Sequence, residues 1–377
     1  MRWALAYRLA EQFPVVVITE ALSLLRERKR PSLAKRIGTR IDLPHLRKYT
    51  PIYYPERLPL LGRWLKAYGR RLLGSELDLV LAPFEPAQRV VCYDSPDQYP
   101  LVGTLGEDIS VYLAIDDRTV TVRGEPIAGE QEAERELLGR VDRVICVSEP
   151  LAITLRARAP SKRDLPIDVL SNGYDERLFA PKRSWDEPVD LAKVPRPRIL
   201  ITGHISERVD WDGIAAAAAL RPTWSWIFVG PADDGMAGRI AGIQAATGAR
   251  MFLHPPVPYE TVPAWIAHCD ACAVPYRLNN FTRASSPLKA IEYLGIGAPV
   301  LSTEIPSLIA LGDAIIWVRE GEGTSYVEAL DALTEQGCSA KAAERRYSSV
   351  RNETWAHKAR TFYQLLEPPC EDRKPKR

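Results

Sequence analysis

The sequence predicts an α/β protein made of two doubly wound domains with parallel sheets. Short apolar runs alternate with amphipathic segments of helical length in both halves of the chain, and this alternation is typical of parallel sheets covered by helices. A proline-rich stretch of little periodicity separates the two series. With 377 residues, 46% of them hydrophobic and 26% charged, the chain is long enough for two folded domains.

The first series predicts a domain over residues 1–172. Strands are predicted where apolar residues run together, at Val15–Ile18, Leu79–Leu81, Val90–Tyr93, Val111–Ile115, Val144–Val147 and Ile167–Val169. Helical spacing of apolar residues predicts helices at Arg2–Gln12, Leu60–Leu73, Gly129–Leu138 and Pro150–Arg158.

After a linker at residues 173–195, the second series predicts a domain over residues 196–350. Its strands are predicted at Ile199–Thr202, Trp226–Val229, Met251–Leu253, Ala271–Pro275 and Ile315–Trp317. Its helices are predicted at Gly213–Leu220, Ala237–Ala246, Tyr259–His268 and Tyr326–Leu333. A last helix is predicted at residues 353–366, and the charged, proline-rich residues 367–377 predict a disordered tail.

One segment of the second domain predicts a loop, then a helix that starts at a proline, then a strand. Ser285 or Ser286 can cap this helix, and Pro287 suits its first turn. Gly295 and Gly297 can end it before the strand. The segment therefore predicts a helix whose start carries hydroxyl groups.

The same helix start has the chemistry of a diphosphate site. Free amide N–H groups at a helix N-terminus attract anions, and Lys289 adds an ammonium group beside them. Glu292 lies one turn after Leu288, where its carboxylate can accept hydrogen bonds from the two hydroxyls of a ribose. An ordinary capped helix with Lys289 and Glu292 in solvent is the alternative.

Three segments together resemble the nucleotide-sugar site of bacterial GT-B glycosyltransferases, which assemble exopolysaccharide and cell-surface glycans. Gly203–Trp211 resembles the Gly-x-x-x-x-Arg-x-Asp motif that opens the donor domain. Pro222–Pro231 resembles the unit that follows, a Pro-x-Trp, an apolar strand and a Gly-Pro. Ser286–Val300 resembles the Ser-Pro-hydrophobic-Lys motif with its later Glu-Tyr-Leu, Gly and Pro-Val.

The resemblance implies two Rossmann-like domains that face a cleft, with the helix at residues 353–366 packed back on the first domain. It implies a hexosyltransferase that moves a sugar from a nucleotide diphosphate, UDP, to a lipid-linked or polysaccharide acceptor. The donor-binding residues that it implies are Gly203, Arg208, Tyr276, Ser286, Leu288, Lys289 and Glu292. The nucleotide sugar is a substrate, so no cofactor is expected. Relatives also begin with a strand, whereas this chain begins with a predicted helix.

Two neighbouring carboxylates are the candidates for catalysis. Asp116 and Asp117 follow the strand Val111–Ile115, and ligands approach open α/β sheets at strand ends. The segment resembles the Tyr-x-x-x-Asp element of inverting xanthan-type glucuronosyltransferases, which implies that Asp116 is the general base. Asp117 is expected to raise the pKa of Asp116 by like-charge repulsion. A simple turn is one alternative, and Asp94 or Asp97 as the base is another.

The pattern departs from relatives in ways that leave other functions open. Retaining enzymes of this fold carry two Glu residues eight positions apart, and the first falls on Ala284 here, so the stereochemistry is open. Asp116-Asp117 is not a metal-binding Asp-x-Asp motif, which predicts metal independence. A non-catalytic glycan-assembly protein is one alternative. A nucleotide-sugar epimerase of the same fold is another, although the five histidines form no convincing catalytic cluster.

Charge and cysteine content predict the cellular context. Residues 2–71 contain 16 Lys and Arg but 5 Asp and Glu, which predicts contact with the anionic inner face of the cell membrane; a solvated basic face is the alternative. No nucleic-acid module accompanies this charge. The sequence lacks a secretory signal and any apolar run of membrane-spanning length, which predicts a cytoplasmic, peripheral protein. Cys269 and Cys272 are expected to pack in the core, because no second Cys pair completes a zinc site.

Overall fold

The computed structural model describes residues 2–13, 88–161, 163–181, 184–336 and 339–366, with short pieces between residues 15 and 82. The predicted elements Leu60–Leu73 and Leu79–Leu81, most of the basic region and the predicted tail lie outside the described residues.

The first described elements are a helix and short strands. The helix α1 spans Arg2–Leu9. The strands that follow are β1 (Val15–Ile18), β2 (Leu22–Ser23), β3 (Gly38–Leu43), β4 (Leu46–Thr50) and β5 (Ile52–Tyr53). β1 pairs in parallel with β4, which pairs antiparallel with β3, and β2 pairs with β5. Only β1 of these strands was predicted, because the others lack a clear apolar run.

A parallel sheet of four described strands follows, in the order β6-β7-β8-β9. These strands are β6 (Val90–Tyr93), β7 (Ile109–Ala114), β8 (Arg143–Cys146) and β9 (Ile167–Val169). The helices α2 (Glu130–Leu138) and α3 (Glu149–Arg158) connect β7 to β8 and β8 to β9. This is the alternation that the sequence predicts.

The second half contains a parallel sheet of six described strands, in the order β12-β11-β10-β13-β14-β15. The strands are β10 (Arg198–Thr202), β11 (Ser225–Val229), β12 (Arg250–His254), β13 (Ala271–Val274), β14 (Val300–Ser302) and β15 (Ile316–Trp317). The helices are α4 (Val189–Ala192), α5 (Trp211–Leu220), α6 (Met236–Thr247), α7 (Val262–Ala267), α8 (Asn280–Ala284), α9 (Leu288–Ile296), α10 (Gly323–Gln336), α11 (Ala340–Val350) and α12 (Trp355–Leu366). The strand order reverses between β10 and β13, and such a switch point is where doubly wound sheets bind ligands.

Both faces of this second sheet are covered, which explains its continuous apolar strands. Along β10, Leu200 packs into one buried cluster, and Ile199 and Ile201 pack into the cluster on the other face. Successive side chains of a strand point to opposite faces, so a strand buried on both sides must be apolar throughout. Cys269 and Cys272 pack in the first of these clusters, as predicted.

The last helix packs against the first sheet. Trp355 and Phe362 of α12 share a buried cluster with Val111 of β7 and Ile145 of β8. Gly173 allows the chain to pass closely, since a Cβ atom there would lie 3.0 Å from the Trp355 amide nitrogen. The domain boundaries at residues 172, 195 and 350 stay a prediction.

Candidate active site

A cleft of about 400 Å³ lies where the strands of the two large sheets end. It is lined by Asp116, which follows β7, and by residues that follow β10 and β13. The structure brings all seven predicted donor-binding residues to this cleft: Gly203, Arg208, Tyr276, Ser286, Leu288, Lys289 and Glu292. Residues far apart in the sequence therefore meet at one site.

The helix α9 begins at the cleft, but its cap differs from the prediction. Pro287 occupies the N-cap position in an extended conformation, with no side-chain cap hydrogen bond. The predicted caps have other partners: the Ser285 hydroxyl donates to the Thr282 carbonyl at 2.7 Å, and the Ser286 Oγ accepts from the backbone N–H of Asn172 at 3.5 Å. Gly297 ends the helix with φ 85°, as predicted for a terminal glycine.

Lys289 extends from the first turn of α9 over Gly203. A Cβ atom at Gly203 would lie 2.8 Å from the Lys289 Cε atom, and Gly203 has φ 93°, so the site requires glycine there. The Lys289 ammonium lies 5.4 Å from the centroid of the Tyr276 ring. Burial holds the pKa of Lys289 below its usual value, which indicates a cation that an incoming anion would stabilise.

Arg208 brings a second cation to the same place. Its guanidinium carbon lies 5.0 Å from the Tyr276 ring centroid, and its Nη2 donates to the His204 carbonyl at 3.1 Å. Its Nε is buried and has no hydrogen-bond partner among the described residues. Burial raises the pKa of Tyr276, but Lys289 and Arg208 together hold it below its usual value. Two cations that converge on one point suit a diphosphate.

Glu292 lies deeper in the cleft and is 5% exposed. Its Oε1 accepts a hydrogen bond of 2.6 Å from the Tyr259 hydroxyl. Burial raises the pKa of Glu292 to about 7, although Tyr259 and Lys289 act in the opposite direction. The carboxyl group therefore changes charge near neutral pH.

Asp116 lines the cleft, whereas Asp117 does not. Asp117 is 3% exposed, and Arg158 donates to both of its oxygens at 3.0 Å. Burial alone would raise the pKa of Asp117, but the hydrogen bonds from Arg158 and Thr119 hold it below the usual value. The expected repulsion of Asp116 by Asp117 is offset by this bound guanidinium, so Asp117 belongs to the support of the loop.

The support beneath Asp116 is a buried charge network. Arg158 also donates to Glu134 at 2.7 Å, and the Tyr112 hydroxyl donates to Glu134 at 2.9 Å. Glu134 is fully buried, so Arg158 compensates two carboxylates at once. Removing one partner of a buried ion pair typically costs about 3–5 kcal/mol, because the other charge stays uncompensated. The network therefore fixes the loop that carries Asp116.

The alternative bases lie elsewhere. Asp94 and Asp97 do not line the cleft, and Asp97 is exposed at the start of a 3-10 helix, Pro96–Leu101. Ala284 is 4% exposed, and its carbonyl accepts a hydrogen bond of 2.6 Å from Ser148. Of the candidate bases, the geometry brings Asp116 to the cleft.

The sequence does not indicate two contacts at the site, those made by Arg158 and by Tyr259. Arg158 gives no signal in the sequence, since its partners Asp117 and Glu134 lie 41 and 24 residues away. Tyr259 lies in a Pro-Tyr-Glu segment, but nothing there indicates a hydrogen bond to Glu292. Within the described part of the chain, no group of His, Cys, Asp and Glu residues is arranged to hold a metal ion.

Comparison with known proteins decides the family of the second domain. Residues 196–336 match the family model of the glycosyl transferases group 1. This part of the chain is a group 1 glycosyl transferase domain. The matched range contains all seven residues predicted to bind the donor.

A relative and solved structures extend the likeness to most of the chain. A putative teichuronic acid biosynthesis glycosyltransferase of Bacillus subtilis is 22% identical over 304 residues, 78% of this chain and 76% of that protein. Sucrose-phosphate synthase of Thermosynechococcus elongatus matches with a TM-score of 0.69 and 17% identity, over 96% of this chain and 90% of that chain. HepE of Anabaena in complex with UDP matches with a TM-score of 0.60 and 15% identity, over 84% of this chain and 86% of that chain. The chain has the GT-B fold of these structures, as the motifs predict, and the match of residues 196–336 supports glycosyltransferase activity.

Proposed function

We propose that this glycosyltransferase moves a sugar from UDP to a hydroxyl group of a lipid-linked or polysaccharide acceptor. The observation that carries the proposal is the pair of cations, Lys289 and Arg208, which both lie within 5.4 Å of the centroid of the Tyr276 ring. The structural neighbour HepE was solved with UDP, which supports a UDP donor here. The relative in teichuronic acid biosynthesis supports a cell-surface glycan as the acceptor.

In the proposed mechanism, fixed charges stabilise the departing diphosphate. Negative charge grows on the leaving UDP as the glycosidic bond breaks, and preorganised cations and amide groups lower the energy of that state. Lys289, Arg208 and the N-terminus of α9 supply this charge, so the proposed reaction is metal-independent. Asp116 accepts the proton of the attacking acceptor hydroxyl.

The binding half of this proposal is tested by calorimetric titration of the protein with UDP. Saturable UDP binding that is weakened in Lys289→Ala is expected, because the lysine contacts the diphosphate. Absence of UDP binding in the wild-type protein would favour a non-catalytic glycan-assembly role.

Glu292 is proposed to accept hydrogen bonds from the ribose hydroxyls, and this makes UDP binding pH-dependent. Because the pKa of Glu292 is raised to about 7, lowering the pH from 8 to 6 protonates it and weakens a charge-assisted hydrogen bond. UDP affinity is then expected to fall about 10-fold over this range, which calorimetry measures. In Glu292→Gln, UDP should bind weakly at both pH values.

The UDP phosphate also titrates near pH 6, so the comparison with Glu292→Gln separates the two effects. A pH dependence that is the same in Glu292→Gln and in the wild type would remove Glu292 from the ribose site.

We also propose that the basic N-terminal region holds the protein on the inner face of the membrane. The support is the excess of Lys and Arg over residues 2–71; among the described residues, no helix has the length and apolar character needed to cross a bilayer. Co-sedimentation with liposomes is expected to rise with anionic lipid and to fall at 0.5 M salt, because salt screens exposed charges. Equal binding to neutral vesicles would contradict this.

A further inference from the structure

Asn172 is a buried side chain of the cleft that the proposed mechanism does not use. It lies just after β9, is 9% exposed and lines the cleft together with Asp116 and Ser286. Its Nδ2 atom donates a hydrogen bond of 2.6 Å to the Ser286 carbonyl. Its Oδ1 atom is buried and, within the described residues, has no hydrogen-bond partner.

The hydrogen bond to Ser286 fixes the orientation of the amide. If the group were turned over, Oδ1 would face the Ser286 carbonyl oxygen, and two acceptors would lie at hydrogen-bond distance without a proton between them. Oδ1 is therefore the atom left for a ligand. A buried carbonyl oxygen without a donor is costly, so a ligand that supplies an O–H group gains by binding there.

We propose that Asn172 Oδ1 accepts a hydrogen bond from a sugar hydroxyl at the reacting centre. This inference rests on the proposed function, which places the diphosphate at Lys289 and the acceptor proton at Asp116. Asn172 lies in the same cleft as both, beside the carbonyl that precedes Pro287. Its oxygen can only accept, so it favours a sugar with a hydroxyl at this position over one that lacks it.

The hydroxyl group can belong to the donor sugar or to the acceptor, and the kinetics separate these sources. The probes are UDP, a panel of UDP-hexoses (UDP-glucose, UDP-galactose, UDP-N-acetylglucosamine and UDP-glucuronic acid) and octyl glycosides as acceptors. If the donor supplies it, Asn172→Ala lowers kcat/KM for UDP-sugar hydrolysis about 10- to 100-fold and keeps UDP affinity within about twofold. If the acceptor supplies it, hydrolysis is unchanged and transfer to the octyl glycosides falls instead.

Asn172→Asp separates the accepting oxygen from the tie to Ser286. The aspartate keeps an acceptor oxygen but loses the Nδ2 donor. Its added negative charge lies near the diphosphate and weakens the binding of UDP and UDP-sugar alike. The ratio of UDP-sugar affinity to UDP affinity therefore corrects for this charge. If the donor supplies the hydroxyl, we expect this ratio to stay near the wild-type value in Asn172→Asp and to fall in Asn172→Ala; if the acceptor supplies it, we expect the same contrast in the rate of transfer to the octyl glycosides. A loss in Asn172→Asp as large as in Asn172→Ala would show a merely structural tie and overturn the proposal.

Asn279 is the matched control. Its Nδ2 also donates to a carbonyl across the chain, that of Val122 at 3.0 Å, but its Oδ1 already accepts from the Thr282 amide at 3.0 Å. Asn279→Ala is expected to leave the UDP-sugar to UDP affinity ratio unchanged, since Asn279 does not line the cleft. Normal hydrolysis and transfer in Asn172→Ala would overturn this inference alone. Absence of UDP binding in the wild type would overturn the proposed function with it.

Discussion

Lys289→Ala is expected to lower kcat/KM for UDP-sugar turnover by about 10²–10³, because a fixed charge on the leaving diphosphate contributes roughly 3–4 kcal/mol to the transition state. The lysine packs against Gly203 and lies beside Tyr276, so its position is set before the donor binds. Its charge is costly in the empty cleft, as its lowered pKa indicates. Steady-state release of UDP from a UDP-sugar measures the effect.

Lys193→Ala is the control for this substitution. The Lys193 side chain is 69% exposed and pairs with Asp190 at 2.8 Å, outside the cleft. Its removal should leave turnover unchanged, because an exposed ion pair contributes little. Wild-type turnover in Lys289→Ala would exclude this lysine from the site.

Asp116→Asn is expected to remove most acceptor transfer while UDP affinity stays unchanged. A positioned general base typically contributes about 10²–10⁴ to the rate, and asparagine cannot take the proton. In the proposed mechanism the nucleotide contacts Lys289, Arg208 and Glu292, which line the cleft and follow other strands than Asp116 does. In the wild type, kcat/KM should fall on the acidic side as the free-enzyme carboxylate is protonated, and this limb should vanish in Asp116→Asn.

Asp97→Asn is the matched comparison, because Asp97 also follows a strand of the first sheet but is exposed outside the cleft. It should transfer sugar normally. If Asp116→Asn still transferred sugar and Asp97→Asn lost this activity, the general base would be Asp97. Retention of configuration at the anomeric carbon would argue against a base at Asp116.

That the proposed donor-binding residues meet at one cleft could be predicted, because they lie in short motifs tied to single elements. Lys289 and Glu292 share one helix, and their spacing places them on one face of it. Gly203 and Arg208 follow β10 directly, and parallel strands end at a common edge. Local patterns of this kind specify both the element and the direction in which it points.

Other features could not be predicted because they depend on contacts between distant segments. Asn172 and Ser286 are 114 residues apart, and no periodicity indicates that they meet. The prediction that Ser285 or Ser286 caps α9 was wrong, because Pro287 itself takes the N-cap position, with φ −66° and ψ 104°. The expected effect of Asp117 on the pKa of Asp116 did not include the ion pair between Asp117 and Arg158. Arg158 is the last residue of α3, and nothing in the sequence indicates this contact.

The central claim is that the cleft binds a UDP-sugar and releases UDP. The most direct measurement follows UDP release by the purified protein from UDP-glucose, UDP-galactose, UDP-N-acetylglucosamine and UDP-glucuronic acid, with Lys289→Ala and Lys193→Ala in parallel. We predict saturable release from at least one of them, unchanged in Lys193→Ala and reduced by about 10²–10³ in Lys289→Ala. No release from any of them, or equal release by the wild type and Lys289→Ala, would contradict the account.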